Sequence, residues 1–103
     1  MDILCILKVL SNSTRLQILE WLKNPEEHFP SQVHMPKEYG FEGGVCVGAI
    51  CVKAGLAQSV ISGYLVKMQE AGLLESRRLG QHTCYRRNEK NIEAFKHLIQ
   101  SEL

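Results

Sequence analysis

Two groups of side chains in this 103-residue chain have the types and spacing to meet nucleic acid. Gln58, Ser59, Ser62, Gly63, Tyr64 and Lys67 fall on the outward side of an apolar-periodic run. Glutamine pairs bidentately with adenine, serine bonds base edges or phosphates, and tyrosine and lysine suit the sugar–phosphate backbone. Gly63 costs roughly 1 kcal/mol against alanine inside a helix, which fits a place where another surface comes close. The second group is Arg77, Arg78, Arg86 and Arg87, four guanidinium groups within eleven residues, with Gln81 and His82 between them. A solvated charge run is the bland alternative for these arginines. Their position next to the polar-faced run favours phosphate contact.

The elements that would position these groups are legible from periodicity. Val47, Ile50, Cys51 and Ala54 fall at i, i+3, i+4 and i+7, and Ile61, Leu65 and Met68 repeat the pattern, so two helices are predicted within residues 45–72. Gly55 between them suits the left-handed conformation that ends one helix and turns the chain, leaving Leu56 to pack into the angle. A short helix, a glycine turn and a second helix with small polar residues at its start read as a helix-turn-helix. An ordinary helical hairpin is the competing reading. Residues 73–87 then give two extended runs around Gly80-Gln81, a β-hairpin. With Leu79 facing His82, Glu75 lies opposite Arg86 as a cross-strand ion pair and Arg77 lies opposite Cys84. The hairpin tip, carrying Arg77, Arg78, Gln81 and His82, becomes a basic finger beside the second helix.

Before the helix-turn-helix, Ile3, Leu7 and Leu10, with Ile6 beside them, make a short apolar helix. Asn12 or Ser11 caps another over residues 13–23, and Pro25 stops it. Residues 25–44 hold all three prolines, three glycines, His28 and His34, and show no period. Phe29, Tyr39 and Phe41 bring apolar surface to that segment, so an ordered loop with room for a helical turn is expected, packed on the domain or on a partner subunit. Asn88 caps a last helix over residues 89–101 with a stripe of Ile92, Phe95, Leu98 and Ile99. The fold class is therefore mainly α with a small β-hairpin, in one domain. Its apolar terminal helices are expected to pair across a two-fold axis in a homodimer.

Charge agrees with this placement. The net charge is only +1, but residues 53–87 carry six basic and two acidic side chains, a local +4, the footprint of phosphate contact. No apolar run approaches the roughly 20 residues of a membrane span. The short, apolar N-terminus contains Asp2 and does not read as a signal peptide. Four cysteines without an export signal point to a reducing cytoplasm. No nucleophile–base pair or phosphate loop suggests an enzyme.

The order of elements and the wording of two stretches resemble the ArsR/SmtB family of bacterial repressors. LSNSTRLQIL is similar to that family's L-S/A-D/N-P-T-R-L-x-I-L opening. GLAQSVISGYLVKMQEAGLLESRRLGQHTCYRR is similar to its G-L-S-Q-S-x-V-S-x-H-L-x-x-L-x-x-A-G-L-V run through the wing. The resemblance implies a dimeric winged helix repressor of double-stranded DNA, with the second helix in the major groove, the wing on flanking backbone, and DNA affinity lowered by a ligand. Ala57 stands where the family has a capping serine, Gly63 stands where a histidine is common, and residues 25–44 are an inserted loop relative to compact members.

Many members sense thiophilic metals through a C-V-C-D-L-C run, and here Cys46 and Cys51 match its first and third cysteines while Gly48 replaces the second. An i, i+5 pair lies about 140° apart around a helix, so both thiolates reach one thiophilic metal or metalloid ion only if Cys46 sits at or before the first turn. Such an ion needs three or four ligands, and Cys5, from the other subunit, is the candidate third. Oxidation or persulfidation of Cys46 is the competing idea, and packing is the plain alternative for Cys51. The family's other metal site, on the last helix, is not supported, because only His97 and Glu93 stand there. Cys84 receives no role. A winged helix used for protein docking through residues 25–44 is the alternative function.

Overall fold

The computed structural model describes residues 2–30 and 40–103. The sequence opens with three helices whose starts are set by side-chain caps or by proline. Asp2 accepts from the backbone N–H of Leu4 and Cys5 at the start of α1 (Ile3–Leu10). Asn12 accepts from Arg15 N at 3.0 Å to open α2 (Ser13–Lys23). Both use the capping chemistry of short polar side chains on otherwise unsatisfied N–H groups. Pro25 ends α2 and also begins a single helical turn, α3 (Pro25–His28), because its missing N–H costs nothing at the first helical position.

The amphipathic runs become α4 (Val47–Ala54) and α5 (Gln58–Glu70). Gly55 sits at φ +70°, ψ 27° as the left-handed C-cap of α4, and its N–H donates to Cys51 O at 2.9 Å. The chain bends by 113° between the two helices, within the range of a helix-turn-helix. The hairpin forms as β2 (Leu74–Leu79) and β3 (His82–Arg87), and its register pairs Leu79 with His82, Arg77 with Cys84 and Glu75 with Arg86, as its sequence predicts. The ion pair is real: Arg86 Nε donates to Glu75 Oε1 at 2.6 Å. Asn88 accepts from Asn91 N at 3.1 Å and caps α6 (Glu89–Glu102).

One strand is absent from the sequence reading. β1 (Val45–Cys46) pairs antiparallel with the other side of β3, giving a three-stranded sheet in the order β1-β3-β2. Two residues are too few to show a period, so the pattern of the helix that follows absorbs them.

The core lies where the helices meet one face of this sheet. Ile6, Ile18, Ile50, Ile61, Leu65, Met68, Leu73 and Leu74 are fully buried, with Val45 and Tyr85 from the sheet. Truncating one of these aliphatics to alanine costs about 2–5 kcal/mol. Two packing expectations are corrected. Leu56 does not pack into the helix angle and is 41% exposed, whereas Ile50, Ile61 and Leu65 of the same two helices are fully buried. On α1 the buried pair is Ile6 and Val9, while Leu7 joins Leu4 in solvent.

The segment read as an inserted loop is anchored at both described ends. Phe29 is buried edge-on against Trp21, with ring centroids 6.4 Å apart. Phe41 is buried with the guanidinium groups of Arg86 and Arg77 over its ring, at 4.3 and 5.2 Å. Tyr39 and His34 lie outside the described residues.

Candidate nucleic-acid interface

α5 is held by its Ile61, Leu65 and Met68 stripe against the core, so the opposite side of the helix must face outward. Gln58, Ser59, Gly63 and Lys67 are exposed there, and Ser62 is half-buried. The helix start has no side-chain cap, since its N-cap residue is Ala57. At Gly63 a Cβ would meet nothing within 4 Å among the described residues, so the fold around it gives no reason for the glycine.

The wing curls back toward this helix. Between the start of α5, the first turn of α4 and the hairpin tip lies a cleft of about 380 Å³. Gln58, Ser62 and Val66 form its helical wall; Gln81, His82, Thr83 and Tyr85 form its wing wall; Cys46, Val47 and Gly48 close one end. Four of the residues expected from sequence to meet DNA therefore converge on one open groove.

The others are placed differently. Tyr64 is half-buried, packed against the core, with the Arg15 guanidinium 5.1 Å from its ring centroid. Arg77 is exposed at its edge, but its guanidinium stacks on Phe41. Arg78 is exposed at the tip and its Nε donates to Gly80 O at 3.2 Å, which steadies the turn. Arg87 belongs to the scaffold, paired with Glu89 at 2.9 Å and close to Leu19 O.

The thiols show where sequence reasoning missed a residue. Cys5 is exposed on α1 and Cys51 packs half-buried against the core. Among the described residues no group of three or more His, Cys, Asp or Glu side chains could hold a metal ion, so Cys5, Cys46 and Cys51 make no common centre within one chain. Cys46 is the N-cap residue of α4, with extended backbone at φ −68° and ψ 146°. Its neighbour is Cys84, to which the sequence reading gave no role. The two are register partners on β1 and β3, and their sulfurs are 3.0 Å apart. Burial, together with the hydrogen bond and charge of Cys46, pushes the Cys84 thiol from its ordinary 9.0 up to about 12. Finding this pair from sequence required seeing Val45–Cys46 as a strand. The one available signal was a β-branched residue directly after Gly43-Gly44.

No protein-family model matches the chain. An HTH-type transcriptional regulator of Bacillus subtilis (strain 168), YbzH, is 38% identical over 98 residues, 95% of either chain. Among solved structures, the homodimeric winged helix-turn-helix DNA-binding domain of Mb0332 from Mycobacterium bovis, a possible ArsR-family transcriptional regulator, matches with a TM-score of 0.66 and 26% identity. That match covers 95% of this chain and 74% of the other. HlyU from Vibrio cholerae N16961 shares the fold at a TM-score of 0.63 and 24% identity, over 95% and 87% of the two chains.

Proposed function

This chain belongs to the ArsR/SmtB-type winged helix-turn-helix transcriptional regulators, and from that membership we propose that it is a homodimeric repressor that binds a palindromic DNA site and releases it when a thiol-reactive compound acts on Cys46. The observation that carries the DNA reading is the shared groove: the polar start of α5 and the wing tip line one open cleft. α5 enters the major groove with Gln58, Ser59 and Ser62 toward base edges, and Lys67 toward phosphate. Gly63 lets the duplex come close. Arg78, Gln81 and His82 reach the flanking backbone from the wing. Family membership favours this reading over a protein-docking module.

The dimer reading rests on unpartnered apolar surface at the chain ends. α1 and α6 lie against each other, and Leu4, Leu7 and Leu103 are 58%, 46% and 94% exposed. Leu103 follows the last residue of α6, whose Phe95, Leu98 and Ile99 are half-buried, and apolar surface of this kind at the two chain ends suits a two-fold interface. Among the described residues no single helix is long and apolar enough to cross a membrane, and the proposed reading has the protein act in the cytoplasm with its duplex.

Selection of bound fragments from random duplex DNA, with the protein kept reduced, tests the proposal. A symmetric motif is expected, with half-sites about 10–10.5 base pairs apart. Recovery of no motif, at low ionic strength, would remove it.

A further inference from the structure

We propose that Cys46 and Cys84 form an intramolecular dithiol–disulfide pair, closed by a small-molecule disulfide, whose oxidation state sets the position of the wing against the helix-turn-helix. The regulatory half of this inference rests on the DNA-binding reading above; the chemical half does not.

The geometry is that of two residues built to react with one another. Cys46 and Cys84 are direct partners across neighbouring antiparallel strands, and their sulfurs stand 3.0 Å apart. A disulfide of about 2.05 Å needs them to close by only about 1 Å. A metal ion is the poorer occupant, since two thiols fall short of the three or four ligands a soft ion takes. The described residues add no third His, Cys, Asp or Glu.

The two sulfurs are unequal, which orders the chemistry. Cys46 is partly exposed, whereas Cys84 is fully buried. Cys46 therefore meets the reagent first. Its thiolate attacks one sulfur of RS–SR, forming a Cys46–S–SR bond and expelling RS⁻. The Cys84 thiol then loses its proton and attacks Cys46 Sγ, forming the Cys46–Cys84 bond and expelling the second RS⁻. The two protons lost from the cysteines end on the two leaving thiolates. The protein is oxidised by two electrons, and one RS–SR becomes two RSH. The hydrogen bond and charge of Cys46 that help hold the Cys84 proton are absent from the mixed disulfide, which makes the second step easier than its resting state suggests.

The position of the pair supplies the coupling. Cys46 is the N-cap residue directly before α4, the first helix of the helix-turn-helix. Cys84 lies two residues from His82, where the wing turns. A covalent bond here joins β3 to the start of α4, and a shift of about 1 Å at that junction re-aims Gln81 and His82 relative to Gln58 and Ser62. Hydrogen bonds weaken steeply with such displacements.

The test uses the full-length reduced protein and oxidised glutathione as the probe. Peptide mapping by mass spectrometry should find Cys46 joined to Cys84, with two thiols lost and no glutathione retained. Affinity for a duplex fragment recovered by selection should fall at least tenfold and return with dithiothreitol. Cys46→Ser should abolish both responses, and Cys84→Ala should trap glutathione on Cys46. A glutathione adduct persisting on wild-type Cys46, a bond between other cysteines, or no reaction would overturn the pair. A closed pair with unchanged DNA affinity would overturn its regulatory role. Reduced protein that selects no DNA sequence would instead defeat the function proposed above, while the peptide map still decides the chemistry.

Discussion

At the scale of single residues, Gln58 and Arg78 are assigned opposite kinds of DNA contact. Gln58 stands exposed in the first turn of α5 and lines the groove, and the proposed function assigns its amide to a base edge. Gln58→Ala should lower affinity for the preferred site by about 1–3 kcal/mol and relax selectivity at one base pair per half-site. Arg78→Ala should weaken binding to all sequences alike and flatten the salt dependence by about 0.9 for each phosphate the arginine neutralises. Binding isotherms on matched and mismatched duplexes at several salt concentrations separate the two. Gly63 offers a sharper contrast. No described residue crowds it, so Gly63→Ala should raise folding stability by about 1 kcal/mol while weakening DNA binding. A gain in stability with unchanged DNA affinity would mean that the glycine does not admit the duplex. Cys84 adds a pH dependence. Its folded-state pKa lies near 12 against an ordinary 9.0, and burial raises the neighbouring Tyr85 phenol as well. The folded chain thus holds these protons more tightly than the unfolded chain, a stabilisation present below about pH 9 and lost as pH rises toward 12. Thermal unfolding should show the midpoint falling across that window in wild type, and falling less in Cys84→Ala.

At the scale of elements, legibility followed the length of the repeating pattern. α2, α4, α5 and α6 each run eight residues or more, long enough for apolar spacing and end signals to agree. The hairpin was legible down to its register because a two-residue link fixes every pair behind it. β1 was not legible, since it is two residues long and is defined only by its partner on β3. With β1 went Cys84, whose meaning depends on a pairing 38 residues away. The groove was half legible. Sequence placed Gln58, Ser62, Gln81 and His82 on the right elements, but could not foresee that Arg77 would stack on Phe41 and Tyr64 on Arg15. Both are tertiary contacts of cations with rings, and no local pattern specifies them. The uncapped start of α5 yields an element-scale prediction. Ala57 already has the extended backbone of an N-cap, at φ −63° and ψ 148°, so Ala57→Ser should stabilise the fold by about 1 kcal/mol. Denaturant titration would register this as a higher midpoint with an unchanged slope.

At the scale of the whole molecule, one subunit presents one groove, and a palindromic site requires two. The terminal helices carry the surface expected to join them. Leu4 and Leu7 are already in solvent in the single chain, so Leu7→Glu should leave the fold intact, halve the mass seen in sedimentation, and reduce DNA affinity by removing the second half-site. Tight binding by such a monomer would place the dimer outside the mechanism. The central claim, that α5 and the wing meet the duplex as a single surface used twice, is tested most directly by a hydroxyl-radical footprint of the reduced protein on a selected duplex. Two protected blocks are predicted, centred about 10–10.5 base pairs apart, each flanked by backbone protection that disappears in Arg78→Ala. One unflanked block, or flanking protection unaffected by that substitution, would contradict it.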